Sequence, residues 1–137
     1  MISKKIGENT YIFRLERNAE IMASLEEIGS LFEGVCKISA IGAGIDPELG
    51  FFNGSGYIWK EFEGEFEIIS LEGSITRFEG KSIPHIHVVL GTETFSTIGG
   101  HLKKMIVNPT LEIFVEVFDE DVIRKHDSLT NLNLLDL

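Results

Sequence analysis

Cysteine is nearly absent from this chain: Cys36 is the only one in 137 residues. A single thiol excludes an intrachain disulfide framework and a closed zinc cage of the thiolate kind, and it agrees with a reducing compartment. In a run with Val35, Ile38 and Ala40, it reads as a buried small hydrophobe. Basic residues are also scarce: 12 Lys and Arg stand against 22 Asp and Glu, a formal net charge of -10. Binding a polyanion depends on cations that neutralise phosphates, so the bulk field repels nucleic acid and DNA binding is not expected. The basic pairs Lys4-Lys5, Lys103-Lys104 and Arg124-Lys125 read as solvated surface. No apolar run approaches the ~20 residues of a membrane span, and the first residues lack the apolar centre of a signal peptide. A cytoplasmic protein with no membrane partner is the expectation.

Several motifs are missing as well. Gly42-Ala43-Gly44 starts like a dinucleotide fingerprint, but Pro47 occupies the place of the third glycine and no helical pattern follows. There is no phosphate-binding G-x-x-x-x-G-K-[ST] loop and no G-x-S-x-G elbow, so Ser70 and Ser74 are serine nucleophiles only by their proximity to a β run. No internal repeat or low-complexity linker divides the chain.

What is present is ordinary for a globular domain, with 43% hydrophobic and 25% charged residues. Residues 10–15 alternate as a strand does, with Tyr11, Phe13 and Leu15 on one face. Asn18 offers a helix N-cap, and Ile21, Met22, Leu25, Ile28, Leu31 and Phe32 then repeat at helical spacing up to Gly34. From there the pattern is short β runs over 35–41, 49–53, 56–61, 65–71, 74–78, 85–90, 95–98 and 110–119. Gly54, Gly56, Gly64, Gly73, Gly80 and Gly91 separate them as turn residues. One main amphipathic helix with about eight strands predicts an α+β domain on an antiparallel or mixed β-sheet, because the spacings are too short for helical crossovers. The chain is expected to be a single domain, 1–137, with a core over about 8–120 and a turn and docked tail over 121–137.

The histidines carry the functional signal. His85 and His87 lie two apart in an apolar, β-branched run, so a strand points both imidazoles to one face. His101 follows Gly99-Gly100, a pair that relaxes the backbone limits on a turn and permits a close approach. Three neutral imidazoles with a fourth position open to water or substrate form the ligand set of an open metal site, and nitrogen donors favour zinc or another divalent transition metal. Carboxylates are abundant. Glu67 and Glu112 are the candidates for a hydrogen-bond partner behind a ligand, or for a base. His126, between Lys125 and Asp127, reads as surface.

Five blocks in order give the chain a family resemblance: R-L-E-R-N-A-E-I before the helix, A-I-G-A-G, F-E-I-I-S-L-E-G-S-I, P-H-I-H-V-V-L-G with G-G-H-L, and T-L-E-I-F-V-E-V with I-R-K-H-D-S-L-T-N-L. Over almost its whole length the chain resembles the plant and prokaryote conserved (PPC) domain, in its prokaryotic stand-alone form. The resemblance implies a homotrimer of α+β subunits, and a metal, usually zinc, on the positions of His85, His87 and His101. Plant relatives join the domain to a basic AT-hook that enters A·T-rich minor grooves. This sequence has no Arg-Gly-Arg core, so a DNA-binding label reaches it by family only.

The expected function is a trimeric zinc-binding PPC protein that is regulatory through protein contacts. The alternatives are a small-molecule enzyme in which three-histidine zinc activates water, and a DNA-associated regulator. A metal pocket with a base and substrate contacts favours the enzyme. A continuous basic face favours DNA.

Overall fold

The computed structural model describes all 137 residues. Nine strands and one helix follow in the order β1 (Ile2–Lys5), β2 (Thr10–Glu16), α1 (Ile21–Ser30), β3 (Cys36–Phe52), β4 (Tyr57–Glu61), β5 (Glu65–Phe78), β6 (Lys81–Gly91), β7 (Thr97–Val117), β8 (Arg124–Asp127) and β9 (Leu132–Leu135). Seven strands form one sheet in the order β1-β2-β7-β6-β5-β3-β4, and a further β3–β7 pairing closes β7, β6, β5 and β3 into a ring. Every strand pairing is antiparallel. The parallel component allowed for from the sequence is confined to the isolated Arg77–Ile123 bridge.

Alternation decides what the ring encloses. Ile86, Val88 and Leu90 of β6, Leu102, Met105 and Val107 of β7, and Ile38 and Ala40 of β3 are buried together. The alternate residues face out. Helix α1 lays Ile21, Leu25 and Ile28 onto this core. Its N-cap is Glu20, not Asn18: the Glu20 carboxylate accepts from the Met22 and Ala23 N–H groups at 3.2 and 2.7 Å. It also accepts from Met105 N at 3.4 Å, fastening the helix start to β7. Asn18 instead takes a left-handed φ of 72°. The helix stops at Ser30, before Gly34, and Arg77 donates to the Gly29 carbonyl in its last turn and to the Phe32 carbonyl just beyond it. Cys36 is fully buried, as its neighbours predicted, and burial pushes its thiol up to about 11.

Three pairs of short runs are each one long strand. Residues 35–41 and 49–53 join as β3, 65–71 and 74–78 as β5, and 95–98 and 110–119 as β7. Ladder irregularities at Gly42, between Ile45 and Leu49, and between Ile68 and Ser70 bend a strand without taking it out of the sheet. Of the glycines expected to separate strands, Gly54, Gly56, Gly64 and Gly80 do so, whereas Gly73 lies inside β5 and Gly91 ends β6. Strand β1 lies before the core predicted from residue 8 and pairs with β2. The tail is more ordered than a docked turn: β8 and β9 form a hairpin, held to β5 by Arg124 Nε donating to Thr76 Oγ1 at 2.8 Å.

Candidate metal centre

His85 and His87 sit on the outer face of β6, opposite the buried Ile86 and Val88. His101 on β7 is the ladder partner of His87. The three rings form a triangle, with centroids 5.2 Å apart for His85–His87 and His85–His101 and 5.3 Å for His87–His101. One ring nitrogen from each lies within 4.8 Å of the others. A metal with ~2.0–2.1 Å bonds to nitrogen holds tetrahedral ligand atoms roughly 3.4 Å apart, so rotamer adjustments of about an ångström seat one ion.

Gly99 and Gly100 do not make the predicted turn. They are in β7, paired with Val89 and Val88. Their role is close approach: a Cβ at Gly99 would stand 2.7 Å from the Val88 carbonyl oxygen, and one at Gly100 would stand 2.8 Å from that of Gly50. Both contacts are with backbone. Smaller side chains cannot exist, so glycine lets β6, β7 and β3 converge where His101 is delivered.

The cluster is electrostatically suited to neutral imidazoles. Burial, then Arg124 and His87, hold His85 below the usual histidine value. Burial, then His85, His87 and Arg124, bring His101 down to about 4. At neutral pH both keep a lone pair for a metal. His126 is exposed on β8 and apart from the triangle, as expected for a surface residue.

Three neighbours complete the site. Tyr57 OH lies 3.4 Å from His101 Nδ1, and its ring stacks on Trp59 at 4.8 Å. Trp59 lies edge-on to His101 at 5.9 Å, and Lys103 Nζ sits 4.9 Å over the indole while reaching Glu48 at 2.6 Å. Gly50 pairs with both Trp59 and His101, and a Cβ there would meet the Trp59 ring at 2.5 Å. Arg124, from the C-terminal hairpin, places one guanidinium nitrogen 3.4 Å from His85 Nδ1.

The carboxylates are arranged differently from the expectation. Glu67 and Glu112 line a shared concavity with Ile41, Gly42, Ile68, Ile69 and Thr110, and none of the three histidines borders it. The ladder explains this: Glu67 is opposite Gly91, whereas the residue opposite His87 is Glu72. Glu72 accepts from Ser39 Oγ at 2.8 Å and from Ser70 Oγ at 3.5 Å, and it shares a cleft with His87. A signal was available in the sequence. A two-residue turn at Glu79-Gly80, both with positive φ, pairs Phe78 with Lys81, and counting back along the hairpin puts Glu72 across from His87.

The profile of the Plants and Prokaryotes Conserved (PCC) domain matches residues 3–119. The chain belongs to this family. A PPC protein from Pyrococcus horikoshii is 27% identical, with a TM-score of 0.85 over 93% of this chain and 91% of its own. A metal-containing protein from Archaeoglobus fulgidus is 30% identical, with a TM-score of 0.85 over 97% of this chain and 96% of its own. A protein from Bacteroides thetaiotaomicron whose name carries a provisional DNA-binding label is 31% identical, with a TM-score of 0.93 over 98% and 96%. No curated protein matches the chain. The family profile ends before Arg124, so the hairpin that touches His85 lies outside it.

Proposed function

We propose that this PPC-family chain is a homotrimeric zinc-binding protein that works in the cytoplasm, through its metal and through protein contacts, without binding DNA. The observation that carries the reading is the triangle of His85, His87 and His101, whose ring nitrogens all lie within 4.8 Å of one another. Nitrogen donors without a neighbouring carboxylate cluster favour zinc over magnesium or calcium, which prefer oxygen. A zinc ion so held supplies Lewis acidity at an open fourth position. Glu72, the ladder partner of His87, is the carboxylate that register brings to this side of the cluster, and its Oε1 accepts from the Ser39 and Ser70 hydroxyls.

The trimer is supported by the outer face that bears His87. Ile41, Ile69, Val89 and Phe114 are each at least two-fifths exposed there, beside Ser39, Glu72 and His87. Apolar side chains gathered on one face of a ring gain by burial against another subunit. Against DNA stands the net charge of -10, with twelve cationic side chains in the whole chain. Titration of metal-free protein with zinc in the presence of a competing chelator tests the central element. One zinc per chain supports it, and a linear, unsaturated response contradicts it.

A second reading, a zinc-dependent small-molecule enzyme, is favoured by one observation. A cleft of about 220 Å³ opens beside His85 and His101, lined by Tyr57, Arg124 and apolar side chains.

A further inference from the structure

Arg124 is a half-buried cation without an anion. Its Nε donates to Thr76 Oγ1 at 2.8 Å, one terminal nitrogen donates to the Asn133 carbonyl at 2.8 Å, and the other lies 3.4 Å from His85 Nδ1. All three acceptors are neutral. The ion pairs of the chain are Arg14–Glu16 and Lys103–Glu48, so no carboxylate lies within 4.0 Å of this guanidinium. Acidic residues outnumber basic ones 22 to 12 in this protein, yet none has been placed here. A charge partly withdrawn from water gains from an anionic partner. A guanidinium carries five N–H donors, and the three contacts leave two for solvent or a ligand.

A metal on the histidines changes the hydrogen bonding further. A neutral imidazole has one lone pair in the ring plane. If the metal takes Nδ1 of His85, that lone pair is used; if it takes Nε2, Nδ1 carries the proton and becomes a donor. In both cases Arg124 loses the nitrogen it now faces, and another N–H points into the cleft. The Tyr57 hydroxyl stands in the same relation to His101 Nδ1 at 3.4 Å, so its proton also becomes available. The rings of Trp59 at 4.8 Å and Phe52 at 5.5 Å hold the phenol in place.

Building on the three-histidine metal reading, we propose that the cleft between the histidine triangle and the C-terminal hairpin binds a small carboxylate, with Arg124 as its anion receptor and Tyr57 as a second donor. The guanidinium fork matches a carboxylate in a bidentate contact. Arg124 is the only cationic side chain that lines the cleft, so apart from a metal on the histidines the lining offers one fork for one anionic group. Ile83, Pro84, Leu132 and Leu134 form the apolar walls, which accept an aliphatic tail. At about 220 Å³ the cleft is below the roughly 300–1,000 Å³ of drug-sized sites, so that tail is short.

The test uses the full chain loaded with cobalt(II), whose stoichiometry is read by elemental analysis and whose visible spectrum reports the metal's ligands. Isobutyrate, its neutral isostere isobutyramide and inorganic phosphate are then titrated by calorimetry. The expected result is saturable 1:1 binding of isobutyrate, no binding of isobutyramide, and weaker binding of isobutyrate to metal-free protein. Arg124→Gln should lower isobutyrate affinity at least ~10-fold, as expected for losing a charge-assisted contact, and Arg124→Lys should recover only part. Tyr57→Phe, which removes one hydroxyl and no packing, should weaken binding as an independent check. Equal affinity of wild type and Arg124→Gln, tighter binding of phosphate, or no heat with isobutyrate at millimolar concentration overturns the proposal. If cobalt is not retained, the metal reading falls separately. Isobutyrate binding to that metal-free protein that disappears in Arg124→Gln would still support the arginine receptor, and its absence would overturn it.

Discussion

His87 on β6 and His101 on β7 are direct partners in an antiparallel ladder, with ring centroids 5.3 Å apart. Sheet pairing, rather than a loop, fixes the distance between two candidate metal ligands, while His85 enters from the same face of β6 two residues away. The site should therefore be sensitive to backbone spacing as well as to the ligands themselves.

Gly99→Ala and Gly100→Ala should each lower metal affinity although neither residue is a ligand. The added methyl group meets a backbone carbonyl oxygen at 2.7 or 2.8 Å, and such an atom cannot move aside as a side chain end can. A loss of stability of about 1–3 kcal/mol, the usual cost of overpacking, is expected with it. Denaturant unfolding and zinc titration of both variants check this.

Metal-free protein should lose stability as pH falls from about 6.5 to about 4. An unfolded histidine binds its proton near 6.5, whereas folded His101 does so only near 4 and folded His85 also below the usual value. Between those limits the unfolded chain carries more protons and is favoured; above about 6.5 neither state does, and this contribution vanishes. Thermal unfolding across pH, compared with His101→Gln, checks the sign: the variant should show a shallower fall. Because the neutral imidazole is the ligand, metal affinity should decline in the same direction.

The parts of this architecture that follow from local pattern were legible in the sequence. The His85–His87 spacing needs only that residues i and i+2 of a strand share a face, and the α1 stripe needs only a 3.6 period. Strand continuity was not legible, because a bend at Gly42 inside β3 and a turn between two strands have the same glycine signature. Abundant glutamates on strands look alike without register, and register is what brings Glu72, rather than Glu67 or Glu112, opposite His87. As half of a basic pair with Lys125, Arg124 reads as solvated surface; its contact with His85 spans 39 residues, a separation that no local pattern encodes.

In solution the chain should be a trimer. Light scattering should return three times the chain mass. Arginine at Ile41 and Phe114 together, on the exposed outer face, should shift that mass to the monomer while leaving the helical and strand signals of circular dichroism in place. A wild-type monomer at micromolar concentration would contradict the assembly.

Duplex DNA should not bind at physiological ionic strength. With net charge -10, neutralising several phosphates would require the twelve cations to gather on one face. A mobility shift of submicromolar affinity that survives ~0.15 M salt would contradict this.

The metal content of the purified chain tests the central claim most directly. After dialysis against zinc and washing, elemental analysis should give one zinc per wild-type chain and the same for His126→Ala, whose side chain lies outside the triangle. His87→Ala, which removes one ligand of three and the ladder partner of His101, should retain little of it. Wild-type protein without stoichiometric metal, or a His87→Ala variant that holds as much as wild type, would show that these imidazoles do not form the metal site.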